Sequence, residues 1–138
     1  MERLSLKYVD AVKALETLKQ IMNEEFSVIV RDAAIQRFEY TFEAVWKFCK
    51  AYLKEEEGIV VSTPKSVFRA IFSLGVLTEE ETVRCLRMTD ARNETVHTYK
   101  EAVSDMIYGQ IPAYVLLMDA LLMRLRERGR GFSDEKNF

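Results

Sequence analysis

The 138-residue chain contains few of the residues that interrupt or cross-link a fold: two prolines, five glycines and two cysteines. So few helix-breaking residues predict long regular elements. Cys49 and Cys85 stand far apart, outside any CxxC or Cys/His spacing. This favours two buried free thiols in a reducing cytosol over metal ligands.

A long apolar run and an excess of positive charge are also absent. The first residues, MERLSLKYVD, are charged from position 2, so no signal peptide is expected. No run of 18 apolar residues occurs, so we expect no membrane span. The formal charge of −2 and a pI of about 5.6 argue against a protein that coats nucleic acid, although a local basic site stays possible. We therefore expect a cytoplasmic protein without a membrane or DNA partner.

Length and composition suit one globular domain, which we place at residues 1–128, with a flexible C-terminal tail at 129–138. Apolar residues recur at helical spacing, and no period-two strand pattern appears. Thr78 followed by Glu81 is a capping box, and Gly58 can end a helix in the left-handed conformation. Pro112 should kink the last helix. Five helices are predicted: about 3–23, 27–57, 63–75, 78–92 and 100–126.

The predicted fold is all-α, an antiparallel up-and-down bundle of four main helices plus one short helix. Large aromatic side chains occupy more than one side of the helices. Tyr40, Trp46 and Tyr114 cannot all point into one narrow core. A homodimer would bury them, so we expect the chain to pair with a second copy.

The only histidine lies in RNETVHTY, residues 92–99. On a continuous helix Arg92 and His97 would be about 140° apart around the axis, so one unbroken helix cannot aim both at a small target. Four residues of this run are weak helix formers: Asn93, Thr95, Val96 and Thr98. We predict a helix end or turn within 93–98. The break would let the two side chains converge, or two copies of the chain would assemble the site.

Arginine and histidine suit RNA cleavage. An imidazole can take a proton and return it, and a guanidinium can hold a phosphate. RNA carries its own nucleophile, the 2′-OH, so one base, one acid and one cation suffice for internal transesterification. Only Asp90 and Glu94 flank the motif, and they form no dense carboxylate cluster for Mg²⁺. We therefore expect neither a metal nor a cofactor.

These residues also have structural interpretations, which the pattern alone leaves open. A lone histidine at a helix end is often a cap, a helix-dipole partner or a surface group. On the second helix, Arg37, Glu39 and Glu43 are either solvated charges or groups that support a cleft or a partner interface. Arg87 either attracts RNA locally or only solvates the helix surface.

RNETVHTY fits the R-x4-H-x-Y motif of the HEPN superfamily, and the chain resembles its HepT-type toxins in particular. The resemblance covers about residues 5–125. Residues 31–59 are similar to that family's long second helix, and the later segments follow in the same order: 63–77, 90–99 and 107–118. Such proteins are also described as nucleotidyltransferase substrate-binding proteins, because they occur with a small MNT-type nucleotidyltransferase.

The resemblance implies an all-helical homodimer in which two motifs face one cleft that cuts RNA without metal. By this resemblance Arg92 binds the phosphate, His97 is a general base or acid, and Asn93 orients the site. Tyr99 matches the tyrosine that the partner nucleotidyltransferase modifies with AMP, which neutralises the toxin. Further cleft or partner contacts are expected from four residues: Asp90, Arg87, Glu39 and Arg37.

The sequence therefore supports two alternative functions. The first is a metal-independent endoribonuclease, the toxin of a HepT/MntA-like toxin–antitoxin pair whose antitoxin is the nucleotidyltransferase. The second is a non-catalytic substrate-binding or scaffold subunit that binds a nucleotide or the transferase itself.

Overall fold

The computed structural model of the chain describes residues 2–129, and this part of the chain is helical with no strand. The prediction of an all-helical protein is confirmed. Residues 130–138 of the predicted tail lie outside the described residues. The elements are α1 (Glu2–Met22), α2 (Val28–Glu57), α3 (Pro64–Ser73), α4 (Glu79–Asn93), a 3₁₀ turn (Glu94–His97) and α5 (Glu101–Arg128).

Local hydrogen bonds begin and end these helices where the sequence predicts. Thr78 Oγ1 accepts from the Glu81 amide at 3.1 Å, and Glu81 Oε1 accepts from the Thr78 amide at 2.9 Å, which is the predicted capping box. Gly58 ends α2 at φ 70°, a conformation that a side chain would strain. Thr63 caps α3 through a second capping box, with Ser66 in place of an acid.

The core is built around α2, which packs against each of the other four α-helices. On α2 the apolar residues at helical spacing form one buried stripe: Ile35, Phe38, Phe42, Val45, Cys49 and Tyr52. α5 contributes a second buried stripe: Ile107, Ile111, Tyr114, Met118, Leu121, Leu122 and Leu125. Burying such side chains supplies the main favourable free energy of folding, roughly 1.5–3 kcal/mol for each large one.

The three aromatic side chains expected at a dimer contact are placed differently. Tyr114 is buried within the chain and stacks on Phe38 with ring centroids 5.8 Å apart. Tyr40 is 43% exposed, and its hydroxyl lies 2.6 Å from Thr17 Oγ1 of α1. Trp46 is half-buried and donates to Glu43. As predicted, the three side chains do not all point into one core, but Tyr114 is buried without a second chain.

α5 is the one described helix that is long and apolar enough, by length and composition, to cross a membrane. The sequence expectation of no membrane span rested on the lack of a continuous apolar run. In the structure one apolar stripe of α5 packs against the other helices, as in a core helix, whereas Met106, Leu116 and Met123 of the same helix are exposed.

Both cysteines are free and fully buried, Cys49 on α2 and Cys85 on α4. Burial, and after it the nearby Cys85, raises the pKa of the Cys49 thiol well above its ordinary value. Burial and the charge of Glu81 raise the pKa of Cys85 to about 12. The prediction of buried free thiols is confirmed.

A buried arginine ties the start of α5 to α2. Arg31 is 3% exposed, and its Nη1 donates to Glu101 Oε2 at 2.6 Å and to Asp105 Oδ1 at 2.9 Å. Its Nε donates to Asp32 at 3.0 Å. These charge-assisted bonds position the N-terminal turn of α5, which directly follows the RNETVHTY segment.

A second ion pair joins α4 to α5. Arg124 Nη1 and Nη2 donate to the two oxygens of Glu81 at 2.8 and 3.0 Å, and the same carboxylate caps α4. The hydrogen bonds from Arg124, followed by those from Thr78 and by the Arg124 charge, outweigh burial and lower the pKa of Glu81 to about 2.

The lowered pKa of Glu81 predicts a loss of stability in acid. In the unfolded chain this carboxyl titrates near its ordinary value of 4.5, so its contribution is fully present above that pH and is lost as the pH falls toward 2. The lowering of the pKa corresponds to about 3 kcal/mol, and since the Arg124 side chain is 40% exposed and solvent weakens the ion pair, we expect about 2 kcal/mol of the free energy of unfolding at pH 7. Glu81→Gln should lower stability at pH 7 and flatten its pH dependence, as measured by urea unfolding between pH 7 and 3.

Glu80 offers a matched control because its side chain is 84% exposed and its ion pair with Arg84 is 3.7 Å long. Glu80→Gln should keep the wild-type dependence on pH. An unchanged slope in Glu81→Gln would contradict the assignment.

Candidate functional site

The helix break predicted within 93–98 is present. α4 ends at Asn93, a 3₁₀ turn covers Glu94–His97, and α5 begins at Glu101. The Thr95 hydroxyl lies 2.7 Å from the Arg92 carbonyl oxygen and 2.8 Å from Glu39 Oε2 of α2. A hydroxyl that engages a nearby carbonyl in this way favours termination of a helix. The buried Thr95 thereby attaches the turn to α2.

Arg92, the last arginine of α4, is turned toward α2. Its Nη2 donates to Glu43 Oε1 at 2.8 Å, and the Trp46 Nε1 donates to the same oxygen at 3.1 Å. Arg92 Nε is buried without a hydrogen-bond partner among the described residues. One edge of the guanidinium is thus fixed on Glu43, while Nε makes no hydrogen bond to the described residues.

His97 and Tyr99 form a second pair on the outer side of the turn. The Tyr99 hydroxyl lies 3.4 Å from His97 Nδ1, and the rings meet edge to face with centroids 5.9 Å apart. Tyr99 is 76% exposed, with the Lys100 ammonium 5.9 Å from its ring centroid. The phenol is therefore open to solvent and to a second macromolecule.

Within one chain, Arg92 and His97 do not meet. No hydrogen bond joins them in residues 2–129, since Arg92 engages α2 and His97 engages Tyr99. Asn93 is exposed at the end of α4, and its side chain does not cap the 3₁₀ turn. The break exists as predicted, but in a single chain it does not bring the two side chains into hydrogen-bond contact.

The other predicted contacts lie around this motif in different places. Arg87 and Asp90 line a cavity of about 230 Å³ between α4 and α5, beside the Tyr114 ring. Asp90 also accepts from Lys65 Nζ at 2.7 Å. Burial and the Asp90 charge raise the pKa of Tyr114, while the Arg87 charge opposes them. Arg37 donates to the Thr17 carbonyl at 2.8 Å, so it contributes to the contact with α1.

Glu43 stays ionised despite partial burial. Burial raises the pKa of Glu43, but the hydrogen bond from Trp46 and the charges of Arg92 and Lys47 together lower it below its ordinary value. Lys47 Nζ lies 3.3 Å from Glu43 Oε2. The carboxylate therefore offers a permanent negative charge to Arg92 near neutral pH.

Glu43 and Thr95 are the two site residues whose roles the sequence left unassigned. Glu39 and Glu43 are four apart on α2, and this spacing indicated a shared face without naming its partners. In the structure both carboxylates contact the 92–95 segment, so they support the motif. No signal in the sequence paired Thr95 with a residue 56 positions earlier.

Three comparisons with known proteins bear on this site. A family model described as nucleotidyltransferase substrate binding protein like matches residues 6–127. The chain is 27% identical to a protein of Haemophilus influenzae named probable ribonuclease HepT, over 94% of this chain and 97% of that protein. A crystal structure of a protein from Thermus thermophilus superimposes with a TM-score of 0.81 at 50% identity, covering 84% of this chain and 98% of that one.

The contact between Glu43 and Arg92 predicts a measurable coupling. A double-mutant cycle of Glu43→Ala and Arg92→Ala should give about 1 kcal/mol of interaction free energy in urea unfolding, because both side chains are two-thirds buried. The cycle of Glu43→Ala with the more exposed Lys47→Ala is the control and should give about 0.3–0.5 kcal/mol. Equal couplings for the two cations would contradict a special contact with Arg92.

Proposed function

Because the chain belongs to the nucleotidyltransferase substrate-binding protein-like family of HEPN-like, HepT-type proteins, we propose that it is a metal-independent endoribonuclease, the toxin of a toxin–antitoxin pair. One observation carries this proposal. The complete Arg92, Asn93, His97 and Tyr99 set lies on the break between α4 and α5, in a chain similar over nearly its whole length to a protein named probable ribonuclease HepT.

The contacts of Arg92 support a role in holding a phosphate. Glu43 fixes one edge of the guanidinium, and fixing a cation in advance lowers the cost of orienting it during reaction. The Arg92 side chain is one-third exposed, so a phosphate oxygen can reach the part of the guanidinium that Glu43 does not engage. Arg92 is thus restrained but still has hydrogen-bond donors to offer.

The proposed reaction needs only groups of this chain and of RNA. An imidazole of His97 takes the proton of the 2′-OH, and the 2′ oxygen attacks the adjacent phosphorus. The bond from phosphorus to the 5′ oxygen breaks, and that oxygen receives a proton from an acid. The products are a 2′,3′-cyclic phosphate and a 5′-hydroxyl. Arg92 stabilises the negative charge on the non-bridging oxygens in the transition state.

We further propose that two copies of the chain, each folded as an antiparallel four-helix bundle, form the working unit. Within one chain Arg92 and His97 point to different neighbours. A two-fold axis near the α4–α5 turn would bring the His97 of each copy to one cleft. One imidazole would then act as base and the other as acid, in a cytoplasmic homodimer.

The family description favours a second candidate, in which the chain is the substrate-binding subunit of a nucleotidyltransferase. The exposure of Tyr99 supports it, because a phenol open to solvent can reach the active site of another enzyme. Both functions hold together if the MNT-type transferase is the antitoxin and transfers AMP to Tyr99. The Tyr99 oxygen would attack the α-phosphorus of ATP and release pyrophosphate. The added phosphate would lie beside His97 and obstruct the cleft.

We expect the wild-type chain to cleave single-stranded RNA in the presence of EDTA and to leave a 2′,3′-cyclic phosphate. His97→Ala and Arg92→Ala should each lower the cleavage rate about 10²–10⁴-fold, because they remove the proton-transfer group and the phosphate-stabilising cation. The rate is measured on labelled RNA, and the cyclic end is identified by mass spectrometry.

Circular dichroism and gel filtration should show that both variants keep the wild-type helix content and size. Glu94→Ala is the matched control, since Glu94 is exposed within the same turn, and it should cut at the wild-type rate within about twofold. Full activity in His97→Ala would remove His97 from the mechanism.

Tyr99 should be the site of AMP transfer. Incubation with the partner nucleotidyltransferase and ATP is expected to add one AMP group to the wild-type chain and to abolish its cleavage of RNA. Tyr99→Phe should gain no AMP and remain active in the presence of the transferase. Tyr108→Phe is the control and should behave as the wild type. An AMP group found on Tyr99→Phe would contradict the assignment.

A further inference from the structure

A groove on the surface between α1 and α2 is positively charged, although the net charge of the chain is negative. Its volume is about 260 Å³. Five cationic side chains and one indole line it: Arg3, Lys7, Lys47, Lys50, Lys54 and Trp46. Glu55 is the single acidic side chain of the lining. In a chain of net charge −2, five cations against one acid are a marked local excess.

The cations form two rows, one on each side of the groove. Lys47, Lys50 and Lys54 are three and four apart on α2, so they share one helix face over about 10 Å. Arg3 and Lys7 are four apart on α1 and form the opposite row. An extended polyanion, with charge repeated along its length, matches two rows better than a single small ion would.

Most of this positive charge is not neutralised within the described part of the chain. Lys47 pairs with Glu43, but no ion pair among the described side chains, which begin at Arg3 and end at Arg128, engages Arg3, Lys7, Lys50 or Lys54. Lys50 lies over the Trp46 ring, with its ammonium 5.9 Å from the ring centroid. Unpaired lysines close to an aromatic ring are typical of surfaces that bind single-stranded nucleic acid.

The groove is connected to the candidate site by one carboxylate. Glu43 Oε1 accepts both from Trp46 in the groove and from Arg92 in the motif. RNA that follows the lysines of α2 to Trp46 therefore comes to within one shared carboxylate of Arg92. This continuity favours the substrate of that site as the occupant over an unrelated acidic protein.

We propose that this groove binds the phosphate backbone of single-stranded RNA and guides it toward Arg92. The inference rests on the proposed ribonuclease function for the identity of the ligand. The lysines supply charge contacts to phosphates, independent of base sequence, and Trp46 forms the wall nearest the cleavage site. The groove thus extends the contact with RNA beyond the scissile phosphate.

The full-length protein can be tested with a fluorescein-labelled 2′-O-methyl RNA of about 12 nucleotides, which has no free 2′-OH and cannot be cleaved. Lys50→Ala/Lys54→Ala should weaken binding about tenfold and lower the slope of log K against log salt by about 1.4, as expected for two lost phosphate contacts. Fluorescence anisotropy at several salt concentrations measures both. Both lysines are exposed and alanine favours helix, so the variant should fold.

Trp46 is the only tryptophan of the chain, so its emission reports occupancy of the groove directly. RNA should change this emission in the wild type, with the midpoint found by anisotropy. The matched control is Lys13→Ala/Arg69→Ala, two exposed cations outside the groove, and it should bind within about twofold of the wild type.

Three results would overturn the proposal: no binding by the wild type, equal affinity and salt slope for the groove variant and the wild type, or a larger change in Trp46 emission with an acidic peptide than with RNA. Cleavage of ordinary RNA is assayed separately. If the protein cleaves RNA but its binding of RNA does not depend on Lys50 and Lys54, the groove proposal alone is refuted. Groove-dependent binding without cleavage would refute the ribonuclease function and support the groove.

Discussion

The burial of one face of α2 is the contact on which the other helices depend. α2 is the longest helix, and each of the other α-helices packs against it. Its polar side chains then fix how those helices lie: Arg31 holds the start of α5, Glu43 holds the end of α4, and Glu57 accepts from Arg128 near the end of α5 at 2.9 Å. The apolar face supplies most of the free energy, and these directional contacts select one arrangement.

The geometry of the motif follows from the same helix. The segment from Arg92 to Thr95 is positioned by two α2 carboxylates one turn apart, Glu43 and Glu39. Arg92 is held by a carboxylate of α2, whereas His97 contacts the exposed Tyr99 at the end of its own turn, so the two groups are restrained differently. Such an arrangement suits a site in which a cation positioned in advance stabilises the charge that develops in the transition state, while the proton-transfer group contacts the substrate.

What the sequence predicted correctly was local. The capping box of Thr78 and Glu81 and the glycine end of α2 were readable because residues within four positions decide them. The break within 93–98 was readable for the same reason. Long-range contacts could not be predicted. Nothing in the sequence shows which carboxylate, 49 positions away, accepts from Arg92, or that the buried Tyr114 stacks on Phe38. The predicted arginine and histidine lie at one helix break, but the partner of Arg92 comes from tertiary packing against α2.

The rates at which the two buried thiols react with an alkylating reagent would report how often this core opens. A thiol reacts with an alkylating reagent as the thiolate, and burial both blocks access to Cys49 and Cys85 and keeps them protonated. Each sulfur can react only after its helix has moved away from its neighbours. Because Cys49 is on α2 and Cys85 is on α4, faster reaction at Cys85 than at Cys49 would mean that α4 separates in a partial opening while α2 stays packed. Equal rates would mean that the helices around α2 come apart as one cooperative unit, so that the turn bearing His97 moves only when the whole core does.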